Sequence, residues 1–195
     1  MEILRSGLQR RCLPSGVMAM LIVLATIALP CNAAIADKSL EYGVKAAFLY
    51  KFSAYVDWPA TAFVSPTSPF SVCLVDSSDQ FNSTLTKVVN GEKVKGRTVV
   101  VRQINNLEDE SSCHILYIGT SDAERAAEAI EATRGSNTLT VSDNASLGII
   151  DFLITDNHVR FNIDDAAAAQ NGLVISSKLL SLAVNVKRRA SKGEQ

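Results

Sequence analysis

The sequence predicts a single-domain α/β sandwich: a mostly parallel β-sheet with helices on both faces, a C-terminal antiparallel hairpin and one disulfide. Short apolar or β-branched runs alternate with segments of helical spacing, which is typical of such a sheet. Two apolar runs, 149–154 and 158–163, lie on either side of Asp156-Asn157, the pattern of a tight hairpin. Two cysteines, Cys73 and Cys113, lie in strand-like runs.

The remaining strands follow from composition, because short apolar or β-branched runs bounded by turn residues favour strands. The two strands that contain the cysteines could lie side by side, as the first and third strands do in flavodoxin-like order. The runs outside the hairpin are 70–75, 98–102, 113–118 and 138–142.

Four segments have apolar spacing typical of helices. Ser121 to Glu124 matches a capping box at the start of the third helix. Asp164 is expected to cap a long C-terminal helix. The predicted helices span 44–57, 81–89, about 122–133 and 165–186.

Residues 1–36 have the pattern of a secretory signal peptide. Three arginines lie within the first eleven residues, an apolar run covers about 17–29, and Ala34-Ile35-Ala36 matches a cleavage site. The run is short for a membrane span of about 20 residues. We therefore expect cleavage after Ala36 and export to the periplasm, rather than retention as an anchor.

Cleavage leaves 159 of the 195 residues, the length of one ordinary domain. It removes three of the 19 basic residues and one of the 20 acidic ones, so the net charge becomes −3. A weakly acidic domain lacks the basic surface of nucleic-acid-binding proteins, so no nucleic acid is expected as a partner. The domain is predicted to span 37–186, and 187–195 form a basic, flexible tail.

After cleavage only Cys73 and Cys113 remain. Two cysteines in an exported domain usually form a disulfide. A zinc site is the alternative, but the sequence contains no C-x-x-C or H-x-x-x-H, and its only histidines are His114 and His158. The pattern favours the disulfide and predicts neither metal nor cofactor.

The sequence contains no recognisable catalytic motif. It has no G-x-S-x-G, and each histidine stands alone. The stretch 91–98 superficially matches a phosphate-binding loop, but it follows a predicted helix and opens a predicted strand, the reverse of the required order. It is interpreted as a turn with solvated lysines, and the protein is not expected to be an enzyme.

A periplasmic small-ligand-binding protein is the alternative function. Doubly wound sheets bind ligands at the carboxyl ends of their strands. Asp76, Ser121 and the pair Ser142-Asp143 follow or end three predicted strands there. The same residue types serve as caps and turns, which is the favoured interpretation.

The stretch 44–59 contains five of the chain's twelve aromatic residues. On a helical wheel, Phe48, Phe52 and Val56 lie in one arc of the width expected for a core-facing stripe. Lys45 lies inside this arc and is expected to snorkel or fray. Tyr50 and Trp58 lie off the stripe and are candidates for partner or ligand contact.

Short blocks along most of the domain together resemble the YfiR family of periplasmic regulators. Each block is weak alone, and their order and spacing carry the resemblance. The blocks are V-K-A-A-F-L-Y-K-F at 44–52, Trp58-Pro59, 70–73, Gly96-Arg97, 113–118, 139–142, Arg160-Phe161-Asn-Ile and 178–183.

The resemblance implies a regulator that binds the periplasmic sensor domain of an inner-membrane diguanylate cyclase and holds the cyclase inactive. An OmpA-like outer-membrane lipoprotein could sequester the regulator, and cyclic-di-GMP would then raise biofilm formation. It also implies that the family's structural disulfide corresponds to Cys73–Cys113. A homodimer is a further expectation, and the candidate contact residues are Tyr50, Trp58, Asp76, Ser121 and Arg160.

Overall fold

The structure, a computed structural model, describes residues 32–105, 113–143 and 147–189, with side chains from residue 38 onward. The chain divides into the units Met1–Ala36 and Asp37–Gln195, and the second is described below. Most of the predicted leader and the end of the predicted tail lie outside the described residues. Within the described ranges, no helix is both long and apolar enough to cross a membrane.

The elements are numbered along the chain. The helices are α1 (Asn32–Tyr55), α2 (Asp79–Val89), α3 (Ala123–Ala132), α4 (Asp165–Gln170) and α5 (Ser177–Leu180), with a 3-10 turn at Ala60–Ala62. The strands are β1 (Val56–Asp57), β2 (Phe70–Val75), β3 (Lys93–Val94), β4 (Arg97–Gln103), β5 (Ile115–Ile118), β6 (Leu139–Asp143), β7 (Ile150–Thr155), β8 (His158–Asp164), β9 (Val174–Ile175) and β10 (Val186–Lys187).

Most strands form one sheet in the order β10-β8-β7-β6-β5-β2-β4-β3, and β1 pairs separately with β9. Within the run β7-β6-β5-β2-β4, each strand is parallel to the next. β7 and β8 form the antiparallel hairpin. The predicted mostly parallel α/β fold and the adjacency of the two cysteine-containing runs are confirmed, and β4-β2-β5-β6 follow flavodoxin-like order.

The central strands are buried on both faces, which explains their continuous apolar sequences. Alternate side chains enter different cores. Val72 and Leu74 of β2 pack with α1 and α2, whereas Cys73 and Val75 pack on the opposite face with Ala126 and Ala129 of α3. Helices therefore cover both faces of the sheet, as predicted.

The hairpin turns at Asp156 and Asn157, which both have positive φ angles, 50° and 60°. Thr155 pairs directly with His158, so the loop has two residues. Asp and Asn tolerate this left-handed conformation, which a two-residue turn of this kind requires. The predicted hairpin is confirmed.

The predicted long C-terminal helix is wrong. Asp164 caps α4 as expected, because its side chain accepts a hydrogen bond from the Ala167 amide. The helix ends at Gln170, and Gly172 adopts the left-handed φ of 68° that commonly terminates helices. The chain continues as β9, α5 and β10, where the prediction had one helix.

The predicted boundary at residue 186 is also too early. Lys187 belongs to β10 and pairs with Asp164 in β8. Arg189 forms an ion pair with the buried carboxylate of Asp165. These contacts attach residues 187–189 to the domain, whereas the prediction placed them in a flexible tail.

Two predicted helix ends are corrected as well. The N-cap of α3 is Asp122 rather than Ser121, because the Asp122 carboxylate accepts from the amides of Glu124 and Arg125. Helix α1 ends at Tyr55, and residues 56–57 form β1 because they pair with β9.

The disulfide between Cys73 and Cys113 is confirmed. Cys73 lies in β2 and Cys113 two residues before β5, with their Cα atoms 5.7 Å apart. Both residues are buried, so the bond fastens two neighbouring strands from within the core.

Loss of this disulfide is expected to reduce stability substantially. The bond joins residues 40 positions apart, and in the chain-entropy model such a loop contributes about 4 kcal/mol. Urea unfolding of Cys73→Ala should show this loss, and reduction of the wild-type protein should reproduce it. The Cys73→Ala/Cys113→Ala variant, which has no bond to reduce, is the control. Wild-type stability that does not change on reduction would contradict the prediction.

Candidate functional site

Lys45 lies on the core-facing side of α1 and, although it is charged, only 2% of its surface is exposed. Its Nζ lies 2.7 and 2.8 Å from the two carboxylate oxygens of Asp143. It also forms an ion pair with Glu41, one turn earlier in α1. The expectation that Lys45 snorkels or frays is therefore wrong, because Asp143 at the end of β6 supplies a buried counter-charge.

Tyr117 extends this cluster. Its hydroxyl donates a hydrogen bond of 2.9 Å to Asp143, and its ring stacks on Phe81 with centroids 4.4 Å apart. Burial, together with the neighbouring negative charge of Asp143, raises the pKa of Tyr117 far above its usual value. Tyr117 therefore remains a neutral donor. We call Glu41, Lys45, Tyr117 and Asp143 the buried ion cluster.

The buried ion cluster occupies the carboxyl end of the sheet, where doubly wound folds bind ligands. Nearby, Asp76 follows β2 and forms an ion pair with Arg125 of α3. Ser121 is exposed just before α3, so the structure brings Asp76 and Ser121 to the same edge. Gly119 packs closely here, since a Cβ atom would lie 2.8 Å from the Cα of Ser77. Internal contacts therefore use much of this edge, and the predicted small-ligand site remains a prediction.

The predicted aromatic stripe of α1 is largely confirmed. Phe52 and Val56 are buried, and Phe48 packs on Phe52 and the hairpin residue Phe161. The buried surface is wider than the predicted arc, because Ser53 on its far side is also buried. Residues 47, 51 and 54 are exposed and form the outer side of the helix.

At the amino ends of the strands, the His114 ring lies between Phe63 and Phe70, with centroids 4.5 and 4.8 Å away. The Nδ1 atom of His114 accepts a hydrogen bond from the Ser71 amide. Arg97 stacks on Phe63 at 3.9 Å and donates to backbone carbonyls of the loop that contains Phe63. His114 is thus a packing residue that fastens this loop.

Trp58 belongs to the same aromatic cluster. Its Nε1 donates to the carbonyl of His114, and its ring meets Phe70 edge-on at 5.0 Å. The indole N–H is therefore hydrogen-bonded and the ring is packed, so Trp58 has a packing role in the structure.

Tyr50 lies beside a solvent-exposed cavity between the end of α1 and residues 93–95. Its hydroxyl donates a 2.6 Å hydrogen bond to Glu92, which raises the pKa of Tyr50. The cavity, about 180 Å³, separates α1 from the β3–β4 turn. Its lining residues are Tyr50, Lys51, Ser53, Ala54, Lys93, Val94 and Lys95. We call this surface the lysine–tyrosine face.

Arg160 lies elsewhere. It is exposed on β8, opposite Leu153 in the hairpin. β8 lies next to one edge strand, β10, whereas Lys93 lies in the other edge strand, β3, and Lys95 follows it. The structure therefore does not bring Arg160 together with Tyr50.

Sequence reasoning missed the partnership of Lys45 with Asp143 and the role of His114 in the loop. One signal for the first was present, since a lysine inside an apolar helical arc requires a buried counter-charge or a route to solvent. The partner lies 98 residues away, and local patterns do not identify it.

Comparison with known proteins gives one family match. The family described as YfiR/HmsC-like matches residues 42–184. No curated protein matches. Among solved structures, the chain is similar to an ABC domain in complex with L-Trp from Streptococcus pneumonia, with 12% identity and a TM-score of 0.43. That match covers 60% of this chain and 56% of the solved one.

Replacing Lys45 is expected to destabilise the folded protein. Lys45→Met leaves the Asp143 carboxylate buried without its cation, which typically lowers the free energy of unfolding by about 3–5 kcal/mol. Lys51→Met, an exposed change on the same helix, should alter it by less than about 0.5 kcal/mol. Urea unfolding compares the two variants. Equal effects would show that Lys45 is not held in a buried ion pair.

The stability is also expected to depend on pH through His114. Burial, followed by the nearby charge of Arg97, lowers the pKa of His114 to about 4, while the Ala62 carbonyl acts in the opposite direction. The unfolded chain therefore binds the proton more readily between pH 6.5 and 4. Acidification across this window should lower the free energy of unfolding by about 3 kcal/mol.

Thermal and urea unfolding between pH 7 and 4 test this dependence. His114→Asn should remove this component and flatten the profile, whereas exposed His158→Asn should keep it. Parallel profiles for wild type and His114→Asn would contradict the prediction.

Proposed function

This chain belongs to the YfiR/HmsC-like family of periplasmic regulators of cyclic-di-GMP signalling, and we propose that it represses an inner-membrane diguanylate cyclase. The repression acts through the cyclase's periplasmic sensor domain, lowers cyclic-di-GMP and limits biofilm formation. The observation that carries the proposal is the family match over residues 42–184, which runs from α1 to the segment before β10.

The family is regulatory rather than catalytic, and the described side chains agree with a binding role. His114 is held between two phenylalanines, and the buried carboxylate of Asp143 is neutralised by Lys45. These groups stabilise the fold, and their contacts do not direct them toward a substrate. The surface, rather than an enclosed centre, is the natural place for regulation.

Partner exchange would make the regulation reversible. The cyclase sensor domain and an OmpA-like outer-membrane lipoprotein would compete for the regulator, so capture by the lipoprotein would release the cyclase. A homodimer of the regulator would present two equivalent surfaces to either partner. Export through the predicted signal peptide would place the chain in the compartment where both partners have domains.

The disulfide offers a route to redox sensitivity. Both cysteines are buried, so a reductant can reach the sulfur atoms only after local opening. Once reduced, the domain would lose the constraint that joins β2 to the start of β5. Redox state would thus control the amount of folded regulator, and through it the cyclase.

Deletion of the gene in its native host tests the proposed function. Cyclic-di-GMP and biofilm should rise, because a repressor is removed, and the full-length gene should restore both. A version without residues 1–36 is the control for export and should not complement. Unchanged or lower cyclic-di-GMP after deletion would contradict repression.

A further inference from the structure

We propose that the lysine–tyrosine face binds an acidic segment of a protein partner, with a Glu or Asp side chain entering its cavity. This inference rests on the proposed function in that it describes how such a regulator would recognise its partner. It begins from the lysines in the 91–98 stretch, of which Lys93 and Lys95 line the cavity.

The charges of this face are only partly neutralised. Lys95 pairs with Asp57, and Glu92 accepts the hydrogen bond of Tyr50. Lys51 and Lys93 are both exposed, and no carboxylate among the described residues forms an ion pair with either. The three lysines outnumber the carboxylates of Asp57 and Glu92, so the face has a net charge of +1 on a domain whose net charge is −3 from residue 37 onward.

The shape of the face suits a side chain. The cavity has a volume of about 180 Å³. Its lining includes the buried side chain of Val94, the methyl group of Ala54, and the side chains of Lys51 and Lys93. An acidic side chain could place its methylene groups against Val94 and its carboxylate between the two ammonium groups. Tyr50 adds a rigid aromatic surface, a residue type enriched at protein interfaces.

The basic character continues along α1. Tyr55 lies one helical turn beyond Lys51, and the Nζ of Lys178 lies 5.5 Å from the centre of its ring. The Nζ of Lys51 lies 5.6 Å from the centre of the Tyr50 ring, so two tyrosine–lysine pairs follow each other along the end of the helix. A segment with more than one acidic residue could contact both pairs, which favours an acidic stretch over a single carboxylate.

An anionic membrane surface is the competing partner for a lysine cluster, since its negative charge attracts lysine side chains. A flat lipid surface would leave the cavity unfilled, whereas a protein side chain fills it. The cavity therefore favours a protein, and the experiment separates the two.

The test uses the mature protein purified from the periplasm and its Lys51→Glu/Lys93→Glu variant. The matched control is Lys38→Glu/Arg188→Glu, which has the same net charge. Lys38 lies thirteen residues from Lys51, about 20 Å along α1. Arg188 follows β10, at the edge of the sheet opposite β3. Circular dichroism and urea unfolding verify that all three proteins are folded.

Binding is measured against the periplasmic domain of a GGDEF-containing cyclase from the same host, a labelled hexaglutamate peptide, and vesicles containing phosphatidylglycerol. The Lys51→Glu/Lys93→Glu variant should bind the cyclase domain at least about tenfold more weakly than the wild type and the control, with the difference shrinking at high salt. Equal affinity of the two double variants for the cyclase domain would overturn the inference and leave the proposed function standing.

If the wild type does not bind the cyclase domain, the peptide decides. Peptide binding that only the Lys51→Glu/Lys93→Glu variant loses would support the face while the proposed function fails. Binding by the wild type to vesicles alone, or to none of the three probes, would overturn the inference.

Discussion

The ion pair between Lys45 and Asp143 allows α1 to bury the side that carries Lys45 against the sheet. Lys45, Leu49, Phe52 and Val56 recur at helical spacing on the buried side. An unpaired ammonium group at the first of these positions would turn the helix toward water, because burial of an uncompensated charge is very unfavourable. Asp143 removes that cost, and Tyr117 and Glu41 complete the hydrogen bonding around the two charges. With this side inward, residues 47, 51 and 54 face solvent.

The two ends of the sheet are fastened by different chemistry. At the carboxyl ends, the buried ion cluster joins α1 to β5 and β6. At the amino ends, stacked rings and the guanidinium group of Arg97 hold the loop before β2, and the disulfide joins β2 to the start of β5. Both sets of contacts are internal to the domain. A domain braced in this way is suited to present a constant surface to a partner, which agrees with a regulator that acts by binding.

The elements that the sequence predicted well are those with local signals. The central strands are continuous apolar runs, and the hairpin depends on Asp156-Asn157, whose turn geometry is a property of those residues. The predicted C-terminal helix is wrong because Gly172, with a left-handed φ of 68°, ends the helix although apolar residues continue beyond it. The strands β9 and β10 form because β1 and β8 offer them partners, which short apolar runs do not reveal.

The candidate surfaces were predicted only in part. The position of Tyr50 off the apolar stripe predicts an outward-facing residue, and Tyr50 borders the cavity of the lysine–tyrosine face. The same position off the stripe predicts contact with a partner or ligand for Trp58, yet Trp58 packs on Phe70, because the chain turns after β1 and carries its ring back to the sheet. Lys93 and Lys95 lie far from Lys51 in sequence, and their clustering requires the sheet order that places β3 beside the end of α1.

Chemical labelling of lysine side chains in the folded protein tests the orientation of α1 most directly. A brief reaction with an amine-specific acetylating reagent, followed by peptide mass spectrometry, gives the reactivity of each Nζ. Lys45 should remain unlabelled while Lys51 and Lys93 react at the rate of free lysine, and Lys45 should react only after unfolding in urea. Labelling of Lys45 in the folded protein as fast as Lys51 would contradict the buried ion pair and the outward face that depends on it.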